Sequence, residues 1–195
     1  MLILASNSAA RRAMLQAAGV AFEAVAADID EAGLRDGWRG LPAAEVALGL
    51  AAAKAVAVSG RHPGKTVLGS DSIVETEEGL FLDKPGTMAG LRAQLLQLRG
   101  RTHRLLSAAA FARDGQTVWR HVGEARLSVR DFSDSFLSCY LHRCGAELLQ
   151  SVGGYHVEAM GVQLFDRIEG SEFVIRGLPL VAVLGFLREA GEVPA

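Results

Sequence analysis

The stretch Ser6-Asn7-Ser8-Ala9-Ala10-Arg11-Arg12 sets hydroxyls, backbone N–H groups and two guanidiniums at a junction between an apolar run and an alanine-rich one. A helix starting here would favour an anion through its unpaired donors and its dipole, and arginine adds bidentate donors suited to phosphate oxygens. An ordinary serine cap with two solvated arginines fits the same letters. Arginine near a helix N-terminus opposes the dipole, however, which an arriving anion would relieve.

Lys54 is the oddest charge in the chain. On a helix its neighbours three and four positions away are Leu50, Ala51, Ala57 and Val58, all apolar. Such a lysine either snorkels to water or meets an anion. Asp71 follows Val67-Leu68-Gly69-Ser70, a place read as the carboxyl end of a buried strand, where open α/β sheets collect ligands. An aspartate there can equally cap a turn. Glu31, after Asp28 and Asp30, is a candidate metal-facing carboxylate or loop surface. Lys84 closes the next hairpin, and Glu158 is an acid within a mostly apolar, glycine-flanked loop.

Other chemistries lack their signatures. The histidines at 62, 103, 121, 142 and 156 show neither HExxH nor paired metal spacing, and CxxC is missing, so a zinc site is not expected. The chain has no GxxxxGK[ST], no GxGxxG and no GxSxG elbow.

The elements that must hold these residues alternate. Residues 2–4 read as a strand, 9–18 as a helix closed by Gly19, and 22–25 as a second strand. Residues 33–41 contain three glycines and are expected to be a loop. Pro42 sits at a helix start and 43–58 is helical. A third strand spans 65–69, a hairpin 73–82 turns at Glu77-Glu78-Gly79, and 88–98 is an amphipathic helix. Residues 102–111 and 117–129 form a strand pair around Asp114-Gly115. A helix over 132–144 is capped near Ser133, a glycine-punctuated loop follows, 173–175 is strand-like, and a last helix covers 179–189. This order predicts an α/β or α+β fold in one unit.

Composition narrows the class. Half of the 195 residues are hydrophobic and the net charge is −2, so a core is available and no overall field draws nucleic acid or an acidic membrane. An anionic ligand must be held by a local cluster. Cys139 and Cys144, five apart on one expected helix, point away from each other and fit a reducing compartment. The N-terminus lacks the basic region of a signal peptide, and no apolar run spans a bilayer. A soluble cytoplasmic protein is expected.

In order and spacing these fragments resemble the Maf family of nucleoside triphosphate pyrophosphatases. The matching stretches are Leu4-Ala5-Ser6-Asn7-Ser8 with Arg11-Arg12, Asp30-Glu31, Ala53-Lys54-Ala55, Gly69-Ser70-Asp71 and Lys84-Pro85. Later come Leu98-Arg99-Gly100-Arg101-Thr102-His103, Ile168-Glu169-Gly170 and Gly177-Leu178-Pro179-Leu180. The resemblance implies an elongated α/β protein, a single domain with two lobes around a central cleft, often a homodimer, using Mg²⁺ or Mn²⁺. It further implies hydrolysis of the α–β phosphoanhydride to a monophosphate and diphosphate. Asp71 matches the catalytic acid. Ser6, Arg11, Arg12, Lys54 and Lys84 match the substrate-binding positions, and Glu31 with Asp71 the metal-facing carboxylates. Asp71 as base and as metal ligand at once is awkward, because a cation draws off the electron density a base needs. Family usage favours the base.

The family's base-selecting positions fall on Ala10, Ser72 and Glu158. In the dTTP/UTP branch a glutamine looks to occupy the position held here by Glu158. An amide matches the mixed edge of uracil, whereas a carboxylate only accepts hydrogen bonds. Guanine offers two adjacent donors that a carboxylate can take together, and 7-methylation makes the ring cationic. Glu158, with Leu164-Phe165-Asp166-Arg167-Ile168-Glu169-Gly170, resembles the 7-methyl-GTP branch. Ala10 stands in place of that branch's bulky aromatic, Ala9 in place of a proline, and Arg176 where an apolar residue is usual. Trp38 offers a substitute stacking face or plain packing. The alternatives are a dTTP/UTP pyrophosphatase of the same family and a non-catalytic nucleotide-binding regulator of cell division.

Overall fold

A computed structural model describes residues 1–194. It contains a mixed seven-stranded sheet with helices, an α/β fold as expected from the alternation. The sheet runs β2 (Phe22–Ala24), β1 (Leu2–Leu4), β3 (Val67–Thr76), β5 (Thr102–Arg113), β6 (Gln116–Val129) and β7 (Phe165–Glu169), with β4 (Phe81–Leu82) paired to β3. β1 is parallel to β2 and to β3, while β4 on β3 and β7 on β6 are antiparallel.

The chain divides into two compact units. The first comprises residues 1–72, 106–123 and those from 176 on. Its strand β1 shows why a parallel strand reads as an unbroken apolar run. Leu2 and Leu4 pack with Met14 and Leu15 of α1 (Ala9–Ala17) and with Val183 and Leu187 of α7 (Leu180–Glu189). Ile3 and Ala5 point the other way, to Ala55 and Val58 of α3 (Ala43–Ser59). Helices on both faces thus bury the strand twice over. The second unit, Ile73–Leu105 and Glu124–Ile175, gathers its core from α4 (Met88–Leu98), α5 (Asp134–Leu148) and the strands between them.

Four local expectations need correction. The segment expected as a loop over 33–41 begins inside a helix, α2 (Glu31–Gly37). Asp30 caps it by accepting from Gly33 N–H at 3.0 Å, and a Cβ at Gly33 would collide with that carboxyl. The Asp30 cap starts the helix despite the glycines that argued against it. The strand expected at 173–175 is the one-turn helix α6 (Glu172–Ile175), so β-branched preference yields to tertiary context there. The loop expected after 144 is partly regular: α5 runs on to Leu148, and β7 pairs with β6. Finally, β3 does not end at Gly69 but continues to Thr76, which puts Asp71 inside the strand.

Both cysteines are free, as their spacing on α5 required. Among the described residues no helix is long and apolar enough to cross a membrane.

Candidate active site

α3 is apolar on nearly every side, with one face buried and the rest half-buried beyond Glu45, and Lys54 is the charge on its buried face at 8% exposure. What brings Lys54 to the sheet is Gly69. A methyl group there would overlap the Ala51 carbonyl and crowd the Ala55 nitrogen, so only glycine lets β3 lie this close to α3. Two residues on, Asp71 is 5% exposed, and its Oδ1 accepts from Lys54 Nζ at 2.7 Å. The same Nζ lies 2.9 Å from Glu31 Oε2. Lys54 therefore neither snorkels nor waits unpaired. It clamps two carboxylates from different elements.

A fourth member was missed in the sequence. Arg35 brings a guanidinium nitrogen to 3.6 Å from Asp71 Oδ2, an atom that is buried and accepts no hydrogen bond. Glu31 and Arg35 stand four apart on α2, the spacing that puts two side chains on one helical face. That signal was lost with the helix itself.

Arg11 and Arg12 separate sharply. Arg11 donates from Nε to the Gly177 carbonyl at 2.8 Å, from one terminal nitrogen to the Ser70 carbonyl at 2.9 Å and Ser6 Oγ at 3.2 Å, and from the other to Ser72 Oγ at 3.1 Å. Burial lowers its pKa, while Asp71 and Glu31 oppose that by attraction. It works as a brace joining the end of β1, β3 and the turn before α7. Arg12, next on α1, is exposed. Ser72 also shares a 2.8 Å hydrogen bond with Ser107, so Ser72 is tied to Arg11 on one side and to β5 on the other. At the entry to α1, Ser8 caps the Arg11 N–H and Ser6 accepts from Ser8 N–H at 3.2 Å. Ala10 is half-buried on α1. Trp38 lies against Gly49 of α3, where a side chain would collide with its ring, and this is the plain packing alternative.

Ser6, Arg11 and Ser72 thus form one bonded group and Glu31, Lys54 and Asp71 a second, joined in the first unit through the β3 backbone and the attraction of Asp71 and Glu31 for Arg11, with Ser70 and Arg35 as members the sequence reading did not pick out. Lys84 and Glu158 belong to the second unit. Lys84 is exposed just past β4, in a turn where Gly86 N–H donates to the Leu149 carbonyl. Glu158 is exposed at the edge of a cavity of about 260 Å³ walled by Val157, Val162, Ile168 and Ile175, with Glu172 a second carboxylate in the lining.

A family model for Maf-like proteins matches residues 1–190. The chain belongs to the Maf family. Its Maf relatives include a protein of Caulobacter vibrioides named nucleoside triphosphate pyrophosphatase, 50% identical over 190 residues, covering 96% of this chain and 94% of its own. A Paramagnetospirillum magneticum protein of the same name is 46% identical, covering 98% and 99%. A third, from Mesorhizobium japonicum, is named 7-methyl-GTP pyrophosphatase and is 47% identical, covering 98% and 97%.

The donor set in this Maf chain also bears on a metal. Lys54, Arg35 and Arg11 against Asp71 and Glu31 leave one formal positive charge in the network, too little to offset the several negative charges of a triphosphate. Two carboxylates meeting at one nitrogen, one of them with an unbonded buried oxygen, suit Mg²⁺, which takes one or two carboxylates and completes its shell with phosphate oxygens and water. The residues fit such an ion.

Proposed function

We propose that this Maf-family nucleoside triphosphate pyrophosphatase acts on a guanine-type nucleotide, best on 7-methyl-GTP, with Asp71 as the base for the attacking water. The observation that carries the reading is the buried Lys54 nitrogen bonded to both Asp71 and Glu31. Asp71 Oδ1 is committed to Lys54, so the water's proton goes to Oδ2, which accepts no other hydrogen bond. Oδ2 is closed to solvent, so the attacking water must be brought to it with the substrate. Arg35 stands beside it to steady the charge that moves through Asp71. Lys54 keeps Asp71 and exchanges Glu31 for a phosphate oxygen as the triphosphate enters, and exposed Arg12 adds a cation the buried network lacks. Arg11 keeps its bonds and holds Ser6, Ser70 and Ser72 in register. With Asp71 kept as the base, Glu31 would hold a divalent ion, which would neutralise phosphate oxygens and the departing diphosphate.

Base choice rests on Glu158. A carboxylate at the edge of an aliphatic cavity takes the two adjacent donors of guanine and repels the carbonyls of uracil. A second lining carboxylate, Glu172, favours the cationic 7-methylated ring over the neutral one. The dTTP/UTP alternative has no residue in this cavity to donate to a pyrimidine carbonyl from a side-chain amide.

A panel of 7-methyl-GTP, GTP, UTP and dTTP with Mg²⁺, with products identified, tests the proposal. Monophosphate and diphosphate are expected, with 7-methyl-GTP turned over fastest. Release of single phosphates overturns the reaction, and preference for UTP overturns the base assignment. Asp71→Asn should cut kcat by about 10³-fold while nucleotide binding persists, because it removes the base and keeps the shape. Turnover near the wild-type rate would remove Asp71 from its role.

A further inference from the structure

Tyr155 stands three residues before Glu158 and is held from several directions. Its hydroxyl shares a 2.7 Å hydrogen bond with Nε2 of His103 on β5. Its ring meets Phe165 edge-on with centroids 4.9 Å apart, and its carbonyl accepts from Ser151 Oγ at 3.0 Å. Tyr140 donates its hydroxyl to the adjacent Gly154 carbonyl at 3.1 Å. Farther on, Gly161 packs so tightly on the His156 backbone that a side chain there would collide. The chain is pinned on either side of Val157 and Glu158, and those two residues line the cavity between the pins.

The His103–Tyr155 bond differs from the other pins. It joins two side chains, both buried, at 1% and 4% exposure. His103 Nδ1 has no hydrogen-bond partner, so burying the imidazole leaves a polar atom uncompensated. Apolar rings would pack here without that cost but would not fix the rotation of the phenol. A buried hydrogen bond selects one arrangement from several of similar packing. The benefit that offsets the cost is therefore geometric, and the geometry it sets is that of the segment ending at Glu158.

We propose that His103 is a positioning residue for base selection, holding Tyr155 so that Glu158 meets the base edge in one fixed geometry. The proposal rests on Glu158 reading the base, and the test separates the two. Steady-state kinetics on 7-methyl-GTP, GTP and UTP would be measured for the wild type, Glu158→Gln, Tyr155→Phe, His103→Leu and His103→Gln, with Tm for each. Losing the bond in Tyr155→Phe or His103→Leu should raise KM for 7-methyl-GTP about 5-fold, the effect of one hydrogen bond, and change kcat less than 2-fold. The preference for 7-methyl-GTP over UTP shrinks accordingly. His103→Gln, whose amide can reach the phenol, should recover part of that preference. If Glu158→Gln alters the preference while Tyr155→Phe only lowers Tm, His103 is merely structural and the inference is overturned. If Glu158→Gln leaves the preference unchanged, the base assignment fails and takes this inference with it. Should His103→Leu not fold, Tyr155→Phe still decides, because it keeps the ring and removes only the hydroxyl.

Discussion

Strand β3 carries two charged networks four residues apart, and they are built on opposite terms. At Asp71 the cation is Lys54, both groups are buried, a second carboxylate shares the same nitrogen, and one carboxylate oxygen accepts no hydrogen bond. At Glu75 the cation is Arg104, which is 41% exposed, bonds Glu75 through two nitrogens and also reaches Glu124. The second network has water to share its charge and its bonds are made. The first has withdrawn Lys54 and Asp71 from water and left one carboxylate oxygen without a hydrogen bond. Desolvating a charged pair costs more than an apolar substitute would, so an incomplete buried cluster signals a task beyond holding the fold. The comparison teaches that the less satisfied network is the one to read as a site.

The comparison breaks most visibly at Lys54. Lys54→Met leaves Asp71 buried with no hydrogen-bond donor, and removing one partner of such a pair costs about 3–5 kcal/mol. Glu31 is 45% exposed and can turn to water, which places the expected loss toward the lower figure. Chemical denaturation reads the stability, and turnover of the triphosphate should vanish with it. A variant with wild-type stability and turnover would remove Lys54 from both roles.

A buried polar pair in the second unit sharpens the same point through pH. Burial pushes the His103 pKa down from its ordinary value to about 4. The unfolded chain takes up that proton near pH 6.5, before the folded one does. The contribution to stability is therefore complete above pH 6.5 and declines as pH falls toward 4. The decline amounts to about 3 kcal/mol. Subtracting the pH–stability curve of His103→Gln isolates it from the carboxylates, and a flat difference between pH 7 and 4 would refute it.

Gly69→Ala tests how Lys54 is brought to Asp71. The added methyl overlaps the Ala51 carbonyl, so α3 must move off β3, at about 1–3 kcal/mol for an overpacked core position. Activity should fall by more than the stability loss accounts for, because Lys54 moves with the helix. Unchanged turnover in a folded variant would show that the close approach is not what sets the pair.

How much of this was legible beforehand follows from what each signal depends on. Lys54 stood out because an apolar helix has a period and a charge breaks it. Glu31 and Asp71 carried the family's spacing but gave no hint that one lysine would hold both. Arg35 was hidden because the glycines at 33, 37 and 40 made α2 read as a loop, although Gly33 serves the Asp30 cap. Asp71 was placed at the end of its strand because Gly69 and Ser70 are weak strand formers. The contact of Gly69 with α3 is a tertiary fact that no local pattern contains. Outside α2 and the segment after α5, the alternation of helices and strands was plain, since buried strands and amphipathic helices leave periodic traces. Arg11 and Arg12 are adjacent and identical in type, and only the bonds to Gly177, Ser70 and Ser72, far off in sequence, tell brace from exposed cation.

The smallest effect is expected at the other end of the comparison. Arg104→Ala removes more hydrogen bonds to carboxylates than Lys54→Met does, so a count of contacts ranks it the more damaging change. Solvent reverses that ranking. Glu124 is 37% exposed and recovers water at once, and the vacated volume beside Glu75 opens onto a cavity of about 350 Å³ that water can enter. Ion pairs at this exposure contribute about 0.2–1 kcal/mol, and salt screens them further. Arg104→Ala should therefore lower stability by less than about 1 kcal/mol, with a deficit that shrinks as salt is added, and leave turnover within about 2-fold of the wild type. A loss of several kcal/mol, or one indifferent to salt, would mean that exposure does not separate the two networks and that Asp71 must be singled out on other grounds.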